Sequence, residues 1–255
     1  MRASTRWCDA ALGAMGSLAV LLLWEVVARW GGADPSIFPP PSIAVVTALH
    51  HVSVEDLLAN AAISLQRIVL GFALGASLGV VLAVAGGWYH LLGNLLRPVV
   101  ELLRPIPPLA WIPISIVWFG LGESSKVFVI FFAAFFPVFT NTWKGMSGID
   151  PVLLRAGQTM DVSGPSLLFR VAVPAAMPDI ATGLRISWGL SFGVLVAAEL
   201  IAADFGLGHM IMNARELGQV DVIILGIVII GIVNLVTDWA IALLIRRHLG
   251  NWHPT

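Results

Sequence analysis

Between Arg67 and Arg97 the chain carries no aspartate, glutamate, lysine or arginine, and most of the intervening positions are Leu, Val, Ala or Gly. A helix that crosses the hydrocarbon core of a bilayer needs about 20 predominantly apolar residues, so this interval alone points to a membrane protein. Composition agrees: 58% of the 255 residues are hydrophobic and 11% are charged, whereas soluble domains carry about 25% charged residues. With a mean hydropathy of +0.91, a water-soluble globule is excluded. The net charge of -1 hides an uneven distribution and says nothing against an anionic substrate.

Uncharged intervals place six spans, at about residues 10–30, 64–87, 94–119, 126–143, 180–203 and 222–245. Arg2 and Arg6 precede an apolar run in the manner of a signal peptide, but no small-residue cleavage site comes before Trp24, Glu25 and Arg29, so the first span is read as retained. Asp34 to Pro41 (DPSIFPPP) reads as a rigid extended segment, and residues 42–58 as a short amphipathic helix too polar to span. Gly71, Gly75 and Gly79 recur at every fourth position of the second span. They form a small-residue face that needs a close partner, within or between chains, and on it rests the expectation of a homodimer. The third span holds Pro98, Pro105, Pro107, Pro108 and Pro113 and must be kinked or partly unwound. Such breaks are tolerated at membrane depth only where they pack in protein or line a watery cavity. A Gly-rich amphipathic segment from Phe205 to Asp221 leads into the sixth span.

The stretch from Asp150 to Pro178 is polar enough to leave the bilayer, yet lies between the most hydrophobic segments. It reads as two short helices joined at Asp161, Val162 and Ser163. Ser163 is a plausible N-cap, Gly164 and Pro165 fall in the opening turn, and Pro174 and Pro178 limit the continuation of the second helix. Leu167, Leu168 and Phe169 then form an apolar knob beside Arg170, suited to a groove on a soluble partner. The alternative is an amphipathic linker resting on the membrane surface. With six spans and a cytoplasmic N-terminus, this loop and the C-terminus are cytoplasmic too. Arg2, Arg6, Arg97, Lys144, Arg155, Arg170, Arg185, Arg246 and Arg247 then lie inside and Arg29, Arg67, Lys126 and Arg215 outside, a bias that supports the orientation.

Three blocks carry a family resemblance: FPPPS at Phe38 to Ser42, RPIPPLAWIPISIVWFGLGESSK at Arg104 to Lys126, and VAAELIAADFGLGHMI at Val196 to Ile211. Together they resemble the permease subunit of a bacterial ATP-binding-cassette importer, in the group that serves taurine, alkanesulfonates and nitrate, over nearly the whole chain. The central block looks closest to taurine permeases. The resemblance implies an all-α integral membrane protein with the six-helix, type I importer permease (MetI-like) fold. It also implies one permease domain over residues 1–255, with its core at about 60–250 and a coupling loop at about 145–178. In that family the loop before the fifth span bears the EAA motif, which docks on the ATPase. Here the motif maps to Arg155, Ala156 and Gly157 in place of Glu, Ala and Ala, with Val173 and Pro174 in place of Leu and Pro. The family's glycine falls on Asp161, where aspartate reaches a left-handed turn at some cost.

The chain has no Walker motif or other phosphate-cradling loop, so it is read as a non-enzyme that borrows ATP hydrolysis through the coupling loop. The implied partners are a dimeric ABC ATPase, a periplasmic or lipid-anchored substrate-binding protein, a second copy of this chain and membrane lipid, with no nucleic acid. No cofactor is expected on this chain, ATP and Mg being used by the ATPase. The implied setting is the bacterial inner membrane. The expected solute is small and anionic, taurine or another sulfonate, with nitrate, bicarbonate or another small organic solute as alternatives.

Arg104 is expensive in lipid, and Glu101 lies three residues earlier on the same helical face. Either the two form a neutralised structural pair, or Arg104 attracts or gates an anion. The expected pathway is bordered by Pro107, Pro108, Leu109 and Trp111, with Arg104 held by Glu101 toward its cytoplasmic end. Trp111 and Trp118 read equally as interfacial anchors. Glu199 reads as a gate or dimer contact, or as a helix cap, and Asp238 beside Trp239 as a satisfied interior acid. His50, His51, His90, His209, His248 and His253 show no ligand spacing beyond one adjacent pair, and Cys8 is the lone cysteine, so no metal or disulfide is assigned. An intramembrane enzyme would need a catalytic set within the spans, which the sequence lacks. A channel would explain the broken span but not the docking loop.

Overall fold

The computed structural model describes residues 2–32, 34 and 36–249, and no strand occurs among them. His253 lies outside the described residues, as do the side chains of Arg2, Arg6, Cys8, Arg246 and His248. In chain order the helices are α1 (Arg2–Trp30), α2 (Pro41–His51), α3 (Val54–Trp88), α4 (His90–Leu103), α5 (Ile112–Phe119), α6 (Glu123–Ser147), α7 (Pro151–Thr159), α8 (Gly164–Leu167), α9 (Val173–Ala202), α10 (Leu207–Glu216) and α11 (Val220–Leu249). A 3-10 turn at Pro108–Trp111 precedes α5, and a π-turn at Leu168–Ala172 joins α8 to α9. Among the described residues, four helical stretches are long and apolar enough to cross a membrane: Val54–Trp88, Glu123–Ser147, the continuous Gly164–Ala202 and Val220–Ile245. The bent pair His90–Leu103 and Pro108–Phe119 would make a fifth.

The chain divides into two compact units. One comprises Met1–Ala59 and Met210–Ile230. Within it Glu25 closes an ion pair with Arg29 at 2.6 Å and accepts from the Ser42 hydroxyl at 2.6 Å, fastening the end of α1 to the start of α2. His51 meets Asp221 at 2.9 Å, tying α2 to α11. The segment expected to be extended begins as a turn, because the amides of Ile37 and Phe38 both donate to the Asp34 carbonyl. Pro40 keeps an extended backbone, and Pro41 opens α2.

The other unit comprises Asn60–His209 and Gly231–Thr255. Its organising contact is α3 on α6. A Cβ on Gly71 would come within 2.6 Å of Ile130, one on Gly75 would collide with the Phe131 carbonyl, and one on Gly79 would sit 3.1 Å from the Phe135 carbonyl. The small-residue face is therefore spent inside the chain, and the homodimer expectation loses the argument it rested on. On the other side α9 approaches α6 equally closely: a Cβ on Gly183 would lie 2.9 Å from Asn141 Cβ, and one on Gly145 would lie 3.1 Å from the Ala176 carbonyl. Without a hydrophobic drive between helices in lipid, such backbone approach is a principal source of cohesion.

Two expectations about helix ends are corrected. The amphipathic helix stops at His51, and α3 starts at Val54 rather than near residue 64. Ser53 causes this: its Oγ accepts from the Asp56 amide at 3.0 Å and donates to the Asp56 carboxylate at 2.7 Å, a reciprocal cap. The second loop helix is not separate either, since Gly164–Ala202 runs as one helix through Pro174 and Pro178. The π-turn directly before Pro174 widens the ladder where the proline ring would otherwise meet the Arg170 carbonyl.

The α3–α6 contact gives a direct check. Gly75→Val should cost about 1–3 kcal/mol or prevent assembly altogether, because the added atoms meet α6 backbone and the Ala134 Cβ, neither of which can rotate aside. Ser77→Val, on an exposed position of the same helix, should leave the unfolding midpoint of the purified protein unchanged. Equal effects of the two substitutions would contradict the packing.

Candidate functional site

The third span breaks between Leu103 and Pro108, and its two halves meet at 85°. Arg104 still receives the helical bond, its amide reaching the Val100 carbonyl at 2.8 Å, but Pro107 turns to φ -58 and ψ 136 and leaves the helix. Pro105, Pro107 and Pro108 have no amide hydrogen to continue the ladder. The break is backed by α6, where Trp111 stacks on Phe132 with centroids 4.9 Å apart and planes at 13°. Phe128, Phe132 and Phe136 continue that aromatic face along the helix.

Between the break, α6 and α9 lies a crevice of about 350 Å³. Arg104 and Pro108 form one wall, Phe132, Ala133, Phe136, Pro137, Thr140 and Asn141 a second, and Ile186 and Leu190 a third. Arg104 is the one formally charged side chain among these described residues. It makes no hydrogen bond or ion pair among them. This exposed, unpaired guanidinium, beside a lining that is apolar apart from Thr140 and Asn141, offers five donors to an anion.

At one end of α6 and α9 stands the loop from Asp150 onward. Asp150 caps α7, accepting from the Val152 amide at 2.8 Å with Pro151 in the first turn. The α7–α8 turn passes through Asp161 at φ 61, the single non-glycine residue with positive φ among the described residues. Ser163 occupies the cap position of α8 but gives no side-chain bond. Gly157 is buried, and a Cβ there would come within 2.6 Å of Leu167 Cδ1. Leu167 and Leu168 are 4% and 6% exposed, and Leu168 packs with Met146, Ala172, Ala176 and Ile180. The expected knob is thus two-thirds core, because the helix that carries it is the start of the fifth span and turns those side chains inward. The outward apolar residues here are Val152, Leu153, Met160 and Phe169, with Arg155 and Ala156 exposed beside them.

A match to the family described as binding-protein-dependent transport system inner membrane component covers residues 71–249. The chain belongs to that family of inner membrane transport components. It is 37% identical to the taurine transport system permease protein of Escherichia coli (strain K12) over 245 residues, 94% of this chain and 89% of that one. It is 33% identical to the nitrate import permease protein of Synechococcus elongatus over 235 residues, 87% of this chain and 84% of that one. This inner membrane component is a multi-pass permease, and the crevice and the Asp150 loop are its two candidate working surfaces.

Of the residues singled out for a pathway in this permease, the structure brings only Arg104 and Pro108 to the crevice. Glu101 does not hold Arg104: its carboxylate accepts from Arg97 Nε at 2.7 Å, one helical turn back. Pro107 and Leu109 are exposed beside the crevice, and Trp111 lies behind it with its indole nitrogen buried and unpartnered. Trp118 is 58% exposed against Phe128. Asp238 pairs with Arg185 at 2.8 Å across α9 and α11 and is half-buried rather than interior.

Glu199 is 1% exposed, and its carboxylate meets the first turn of α10 at the Gly208 amide, as a helix cap does. It accepts from Arg67 at 2.7 Å, from the Ser64 hydroxyl at 2.8 Å and from the Gly208 amide at 2.9 Å. Arg67 in turn holds Glu123 through two bonds of 2.5 and 2.6 Å and the Phe205 carbonyl at 2.6 Å. Gly206, at φ +116, passes so close that a Cβ would meet Glu199 and Arg67 at 2.5 and 2.7 Å. One guanidinium therefore pins α3, α6, α9 and the turn into α10 at the end away from the Asp150 loop. Sequence reading counted Arg67 and Lys126 only as outer charges, although both are 3% exposed. The available signal was Arg67 at the edge of an apolar span with two acids in the neighbouring motif blocks. Arg67→Leu should cost about 3–5 kcal/mol by stranding the buried Glu199 carboxylate. Glu123→Gln, at a residue 61% exposed, should cost about 1 kcal/mol or less. Denaturant unfolding of the purified variants checks the order, and a larger loss for Glu123→Gln would contradict it.

Proposed function

We propose that the permease carries a small anion through the crevice at the break in the third span, driven by a separate ABC ATPase that docks on the Asp150 loop. The observation that carries this reading is Arg104, the one charged side chain lining the crevice and without an ion pair among the described residues, where an anion would find its strongest partner. The named solutes of the two relatives, taurine and nitrate, both present an anionic group, a sulfonate in the zwitterion taurine, and taurine or another sulfonate is the reading preferred here. The six-span count is completed by α1, and two copies face each other so that each supplies one wall of the route. Because the chain has no nucleotide site, the ATPase engages Val152, Leu153, Met160 and Phe169, with Arg155, Ala156 and Asp161 shaping the loop. This loop and both termini are then cytoplasmic, and a binding protein delivers solute to the opposite side.

Proteoliposomes holding permease, ATPase and binding protein test the proposal. Uptake of a labelled sulfonate should require ATP and the ATPase, and Arg104→Gln should lower it about tenfold by removing one charged hydrogen-bonding partner. Phe169→Asp, at an outward side chain, should release the ATPase from a permease that is still folded. Uptake that proceeds without ATPase, or full uptake by Arg104→Gln, would overturn the reading.

A further inference from the structure

The crevice also holds groups whose chemistry is opposite to that of Arg104. Asn141 lines it, and its side-chain nitrogen donates to the Pro137 carbonyl at 2.8 Å, which fixes the amide so that the Oδ1 atom is the free end. That oxygen has no hydrogen-bond partner among the described residues. Pro137 also lines the crevice and has no amide hydrogen, so the carbonyl of Ala133, four residues earlier and likewise in the wall, loses its helical donor. Thr140 adds a hydroxyl whose proton is committed to the Phe136 carbonyl at 2.8 Å, leaving lone pairs. These groups on α6 are acceptors without donors, and no carboxylate lies among the lining residues. Gly183 on α9 keeps this arrangement possible, since any larger residue would push Asn141 aside.

Free acceptors that line a mainly apolar crevice favour a ligand that brings donors. Resting on the anion reading above, we infer that Asn141 is the specificity-determining residue of the crevice. It reads an N–H or O–H group carried by a solute whose anionic head is bound by Arg104. A solute with both an anionic head and such a donor is selected over a bare inorganic anion or an unsubstituted alkyl anion. A pocket that hydrogen-bonds a donor rejects the analogue lacking it more sharply than a pocket that measures size.

The matched probes are 2-hydroxyethanesulfonate, ethanesulfonate and nitrate, each a monoanion, titrated against the permease–ATPase complex in lipid nanodiscs, with thermal stabilisation as the readout. Half-maximal stabilisation should need about tenfold less 2-hydroxyethanesulfonate than ethanesulfonate, one donor bond being involved. Asn141→Leu should abolish that ratio while ethanesulfonate still binds, and Arg104→Gln should abolish stabilisation by both sulfonates. Equal half-points for the two sulfonates in the unmodified complex, or nitrate acting as well as 2-hydroxyethanesulfonate, would overturn the role of Asn141 and leave the anion reading intact. Insensitivity of both titrations to Arg104→Gln would overturn the anion reading itself. Equal half-points in the unmodified complex would overturn the assignment even where Asn141→Leu does not assemble.

Discussion

The larger unit depends on helix α6 being approached from both sides without intervening side chains. Gly71, Gly75 and Gly79 let α3 lie on its backbone, and Gly183 and Gly145 do the same for α9. Lipid tails are as apolar as leucine, so contacts at this range hold helices together where burial of greasy surface does not. With α6 fixed from two sides, its remaining aromatic face is free to back the broken third span. Trp111 on Phe132 is the contact that seats it. A break at Pro105 to Pro108 is thereby permitted, because it leans on protein rather than facing hydrocarbon.

The two ends of this scaffold are built differently. At one end Arg67 and its carboxylates Glu123 and Glu199 lock α3, α6, α9 and the turn at Gly206 into one polar knot. At the other end α9 runs without interruption into the Asp150 loop through a π-turn, and Leu167 and Leu168 anchor that extension in the core. A push on the outward residue Phe169 would be transmitted along a continuous helix that also carries Ile186 and Leu190 to the crevice. The coupling proposed here thus has a mechanical path, from the loop to the wall of the route, in a single element.

Much of the fold was legible in the sequence because it depends on run length and spacing. Apolar run length gave the four long helices and the bent pair, the cluster of prolines gave the break, and the glycine spacing gave a close helix contact. The left-handed turn at Asp161 followed from the resemblance and is present at φ 61. The features that were not legible depended on which way side chains point or how far they reach. Leu167 and Leu168 look like a docking knob until the helix phase set by the π-turn is known. Glu101 looks like the partner of Arg104, three residues on, but its carboxylate reaches back to Arg97 instead. Arg67 counts as an interfacial charge until two distant acids and a carbonyl are folded around it. The S-x-x-D pattern at Ser53 to Asp56 was readable as a helix start and marks the true beginning of α3.

The central claim is that the break in the third span opens onto a watery crevice walled by α6 and α9. Single cysteines at positions 108 and 190, in a background lacking Cys8, put this to the test with a small membrane-impermeant thiol reagent. Leu74→Cys, outward-facing on α3, is the lipid-exposed control. Rapid labelling at positions 108 and 190, altered by ATP turnover in the assembled transporter, with slow labelling at 74, is the predicted result. Labelling at 108 and 190 as slow as at 74 in every state of the ATPase cycle would contradict it.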